Sequence, residues 1–129
     1  ELVQYDIPNR TIRSARAEHA VYFKTVAEVL AGLTAADTID MGAADTCRFG
    51  KWYDSPAADP FRKLPGFKTV RAPHEAQHAA AHAALHAFAN RDQDAAETAF
   101  AQMEKATQDV LAALKQLAEE ARDIHPDAA

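Results

Sequence analysis

The chain has one cysteine, four glycines, six prolines and one tryptophan in 129 residues. A single cysteine excludes an internal disulfide and fits a reducing compartment better than a secreted one. So little glycine and proline argues against a turn-rich all-β domain and against disorder. No apolar stretch approaches ~20 residues, so no segment reads as a membrane span. The net charge is −5, from 14 basic and 19 acidic residues. The basic residues form no run or stripe, which argues against nucleic acid as a partner. The first residue is Glu1 rather than Met, which reads as a piece of a longer protein or a chain whose leader has been removed.

What is present favours helix. Hydrophobic residues make up 48% of the chain and about half of them are alanine, which forms helix well but buries little area. The length suits one domain with close-packed helices and a thin core. A first helix is expected over about Thr11–Leu33, with the stripe Ile12, Ala15, His19, Tyr22, Val26, Val29, Leu33 and Gly32 near its end. A short second helix, starting between Ala36 and Asp40 and ending at Tyr53, carries Cys47, Phe49 and Trp52. The segment Asp54–Pro60 stops it, and a connector with Phe61, Leu64 and Phe67 follows. Pro73 suits the first turn of a third helix, closed by Asn90, with the stripe His74, His78, Ala81, Leu85, Phe88. Asp92 suits the N-cap of a fourth, over about Gln93–Asp123, with the stripe Ala96, Phe100, Met103, Thr107, Val110, Leu114, Leu117, Ala121, Ile124. The expected fold is all-α, an antiparallel four-helix bundle over residues 11–124. Residues 1–10 read as an N-terminal extension and 125–129, with His125, as a frayed tail.

Three of these core positions hold histidine. A buried imidazole is costly unless its ring nitrogens find partners. His74 and His78 lie one turn apart on one helix face. With His19 and Cys47 they supply three nitrogens and one sulfur, a set that suits tetrahedral Zn²⁺. Other transition metals more often need different sets. Each signal is ordinary alone: an i, i+4 His pair is common, a lone Cys often serves as a small hydrophobe, and Phe49 and Trp52 suit plain core. Their coincidence on core stripes is what points to a metal. His82 and His86 continue the ladder but rotate off the stripe, so they read as flanking residues.

The motif His19-Ala-Val-Tyr22, then 24 residues, then Cys47-Arg-Phe49-Gly50-Lys-Trp52, then 21 residues, then His74-Glu-Ala-Gln-His78 resembles the chemoreceptor zinc-binding (CZB) domain family. The resemblance spans about residues 11–124. It implies a cytoplasmic bacterial sensor domain with one zinc on His19, Cys47, His74 and His78. It also implies a homodimer, fused to or associated with an output domain for chemotaxis or diguanylate cyclase control. Some relatives are thought to sense hypochlorous acid through the zinc-bound cysteine. Catalysis is the main rival reading. Catalytic zinc keeps a position open for water, whereas this set fills all four. Glu75-Ala-Gln-His78 is a lone E-x-x-H, while di-iron bundles need two. No C-x-x-C-H is present for haem attachment. A plain interaction bundle with zinc as a staple is the other alternative.

Overall fold

The computed structural model describes residues 9–35, 44 and 47–124. Within them the chain is all-α: α1 (Arg10–Leu30), α2 (Arg48–Tyr53), α3 (Pro65–Ala89) and α4 (Gln93–Glu120), with 3-10 helices at Pro56–Phe61 and Ala121–Asp123. The pairing of α3 with α4 is the most extensive, α1 lies mainly against α4, and α2 touches α1. The proposed extension and tail lie outside the described residues, apart from Asn9 and Arg10. Asn9 is the N-cap of α1, and its side-chain amide donates to the Ala121 carbonyl at 2.7 Å.

The helix ends follow from local chemistry. In α1 the Gly32 amide donates to the Val29 carbonyl and the Leu33 amide to that of Glu28, both near 3 Å. Gly32 takes φ 76°. This is a complete Schellman motif. It turns the chain away from the bundle, so Leu33, expected on the core stripe, is 77% exposed. The same bonds close α3, where the Arg91 amide meets Phe88 and the Asp92 amide meets Ala87. Here a non-glycine, Arg91, takes the left-handed position at φ 58°. Phe88, also expected in the core, lies on this last turn and is 40% exposed. Asp92 caps α4 as expected, its side chain accepting from the Ala95 amide at 3.1 Å.

Two expected starts are corrected. Helix α3 begins at Pro65, two turns before Pro73, and Pro73 lies inside it. The rule that places proline in a first turn fits both residues. Phe67 and Val70, buried against α4 and the aromatic residues of α2, supply the packing that extends the helix through Pro73. Helix α2 begins only at Arg48, and Cys47 is its N-cap rather than an interior residue. The expected earlier part, residues 36–43, lies outside the described residues.

The core comes in two apolar clusters. One gathers Ile12, Phe49, Tyr53, Phe61, Phe67, Val70, Val110, Leu114 and Leu117. The other gathers Val26, Val29, Ala81, Leu85 and Met103. Between them in sequence, on every long helix, sit buried polar residues: His19 on α1, His74, Gln77 and His78 on α3, Thr107 on α4. Gly66 brings α3 and α4 close together. A Cβ there would lie 2.9 Å from the Leu117 backbone nitrogen and Cα, and its amide donates to Glu120 at 2.8 Å. Gly66→Ala gains helix propensity of at most ~1 kcal/mol, but the clash is with backbone and cannot relax by a side-chain rotation. We expect a net loss of about 1–3 kcal/mol in urea denaturation; unchanged or raised stability would contradict this packing.

Candidate metal centre

Each donor is set by the element that carries it. His19 sits two turns into α1, where its Nδ1 lies 2.7 Å from the Ala15 carbonyl. A carbonyl can only accept, so Nδ1 carries the proton and Nε2 presents its lone pair. Cys47 stands at the start of α2, its Sγ accepting the Gly50 amide at 3.3 Å. The same Sγ lies 3.5 Å from the Ala44 carbonyl, to which the thiol donates. The Glu18–Arg48 ion pair, 3.3 Å long, ties the residue before His19 to the residue after Cys47. Both side chains are exposed, so the pair contributes direction more than energy. His74 and His78 share one face of α3, with ring centroids 4.8 Å apart.

The four converge. One donor atom from each of His19, Cys47, His74 and His78 lies within 4.8 Å of the others. Cys47 Sγ is 3.3 Å from His74 Nε2 and 3.9 Å from His19 Nε2. In a tetrahedral zinc site the nitrogen–sulfur edge is about 3.6 Å, between these two values. Closing a separation of 4.8 Å to such an edge needs about 1.2–1.4 Å of side-chain movement. The donor set therefore fits the metal. His82 and His86 are not in the cluster: His82 is half-buried, and His86 is exposed beside Asn90.

Burial shapes the chemistry. All three ligand histidines are buried and Cys47 is half-buried. Phe49, 1% exposed, sets its ring edge-on to His19 and His74 and closes that side. Tyr22 lies against the His78 ring at 5.0 Å. Burial drives the His74 pKa down to about 3, helped by the positive charges His19 and His78 would carry. Burial also lowers that of His19, against the Ala15 hydrogen bond and the Glu18 charge. At neutral pH these two rings are uncharged, the form that binds a metal.

Helix α2 is held at its far end. Tyr53 stacks on Phe67 with centroids 4.0 Å apart, and its hydroxyl donates to the Phe67 carbonyl at 2.6 Å. Arg62 donates to the carbonyls of Tyr53 and Ser55. Trp52 packs on Phe49 and Phe61.

A family model for the chemoreceptor zinc-binding domain matches residues 19–85. The chain belongs to this family. No curated protein and no solved structure matches it. The CZB domain is thus a zinc-binding domain of a regulatory rather than a catalytic family, and the match takes in all four converging side chains. Among the described residues no helix is long and apolar enough to cross a membrane. Sequence reasoning overlooked Gln77, which is fully buried and donates to the His19 carbonyl and to Thr107. Its signal was a polar residue on the core face, one position before His78. Of the acidic neighbours of the ligands, Glu18 pairs with Arg48, Glu75 is exposed and Asp45 lies outside the described residues.

The depressed histidine pKa values give a pH dependence to the metal-free domain. The unfolded chain takes up these protons near pH 6.5 while the folded chain resists to lower pH, for His74 to about 3. Stability from burying neutral rings is therefore complete above the unfolded value and falls as pH drops through this window. Urea midpoints in chelator should fall from pH 7 to pH 4, with each ring contributing up to about 1.4 kcal/mol per pH unit. His74→Gln should flatten the fall; a midpoint independent of pH would contradict the buried neutral rings.

Proposed function

We propose that this chain is the zinc-responsive sensor unit of a signalling protein, with Zn²⁺ held by His19, Cys47, His74 and His78. The convergence of three imidazoles and one thiol between two apolar clusters is the observation that carries this reading. The unit spans residues 11–124 as a variant of the antiparallel four-helix bundle, with the cysteine capping its shortest helix. It works as a homodimer in the cytoplasm, coupled to an output domain of the chemotaxis or diguanylate cyclase type, and does no catalysis.

The metal would neutralise the thiolate and give the imidazole lone pairs a common acceptor. Such binding contributes on the order of 10 kcal/mol, enough to bias a two-state element. The element it biases is local. The far end of α2 is fixed by Tyr53, Phe67 and Arg62, so metal loss acts on Cys47 and the residues before it. The same sulfur supports redox sensing. Attack by the thiolate on a peroxide or hypochlorous acid forms an S–O bond, breaks O–O or O–Cl, and releases hydroxide or chloride. The resulting sulfenic acid is a poorer ligand.

Metal content and chelation test this reading together. Purified protein should carry near one zinc per chain, and Cys47→Ala and His78→Ala clearly less. Chelator should shift the fluorescence of Trp52, the single tryptophan, while far-ultraviolet circular dichroism stays helical. Wholesale loss of helix would favour zinc as a staple instead. Absence of zinc, with none bound on addition, would reject the site.

A further inference from the structure

We propose that Gln77 is a positioning residue of the metal centre: its amide, anchored on Thr107 of α4, sets the His19 turn of α1 against His74 and His78. This rests on the zinc reading above and adds a role for residues outside the donor set.

Helix α4 supplies no donor to the cluster, yet it pairs most extensively with α3, which supplies two. Gln77 makes the polar link between them. It is fully buried, three residues after His74 and one before His78. Its Nε2 donates to the His19 carbonyl at 3.2 Å and to Thr107 Oγ1 at 2.9 Å. Thr107 Oγ1 in turn donates to the Met103 carbonyl at 2.7 Å, which leaves its lone pairs facing Gln77. Both acceptors are thereby committed, so the amide orientation is determined and both Nε2 hydrogens are used.

The arrangement has a cost that indicates its purpose. Gln77 Oε1 is buried with no hydrogen-bond partner among the described residues. A leucine or methionine on this stripe would bury the same volume without that penalty. What the glutamine adds is two donors, and one of them reaches the backbone of a proposed metal ligand on another helix. That bond fixes the height of α1 along α3 at the turn where the imidazoles must meet. A metal–nitrogen bond is sensitive to tenths of an ångström, so this register sets how well His19 Nε2 can reach the shared centre.

Cobalt(II) in place of zinc makes the geometry visible, since its d–d bands report tetrahedral coordination. Cobalt titrations would compare wild type, Gln77→Met, Thr107→Val and Val29→Ala, a core truncation in the second apolar cluster, away from the donor set. Losing a hydrogen bond to a ligating side chain costs about 10–100-fold in affinity; Gln77 acts through the main chain of His19, so we expect Gln77→Met to bind about tenfold more weakly, with altered d–d bands. Thr107→Val should shift both in the same direction by a smaller factor. Val29→Ala should keep wild-type bands and an affinity within about twofold of wild type, since it leaves the outer-sphere bonds intact. Wild-type affinity and bands in Gln77→Met would overturn the inference, as would an equal loss in Val29→Ala. Should Gln77→Met not fold, unchanged affinity and bands in Thr107→Val would overturn it. Absence of tetrahedral bands in the wild type would instead reject the zinc reading, and this inference with it.

Discussion

The structure turns on a polar layer inside an apolar core. Three imidazoles, an amide and a hydroxyl lie buried between two hydrophobic clusters. The core around them is short of large side chains, because so much of the apolar content is alanine. Such a layer weakens a fold unless its donors and acceptors are matched. The protein matches part of it internally, through Ala15 on His19 and through Gln77 on Thr107 and the His19 carbonyl. The Nε2 atoms of His19 and His74 both meet the Cys47 sulfur, at 3.9 and 3.3 Å, so three polar donors share one buried point. A divalent cation bound at that point would take all four donors at once, so the proposed metal belongs to the physics of the fold.

The four candidate donors differ in how they are held. His74 and His78 ride on α3, whose pairing with α4 is the most extensive among the described residues. His19 is fixed by its own helix and by Gln77. Cys47 stands at the start of α2, its sulfur meeting the Gly50 amide on one side and the Ala44 carbonyl on the other. In the proposed sensor, three donors on long helices and one at a helix start would direct the effect of metal loss to that start. The surface pair Glu18–Arg48 joins the chain neighbours of two donors.

Much of this was legible in the residues, for identifiable reasons. Histidines on 3/4 stripes stand out because a stripe position predicts burial and burial demands a partner. The Asp92 cap and the Gly32 stop follow from rules confined to a few residues. The failures occurred where tertiary packing decided between equal local signals. Pro65 and Pro73 both satisfy the first-turn rule, and only the burial of Phe67 and Val70 selects the former. Leu33 and Phe88 continue their stripes by count, but each lies at or beyond a left-handed terminus that redirects the chain. Gln77 was hidden by its polarity, which reads as solvent exposure when its partners on two other helices are unseen.

X-ray absorption at the zinc edge on the loaded protein tests the central claim most directly. The account predicts one sulfur at about 2.3 Å and three nitrogens at about 2.0–2.1 Å, with imidazole multiple scattering. A shell with no sulfur, or one dominated by carboxylate and water oxygen, would contradict a centre built from Cys47 and the three buried histidines.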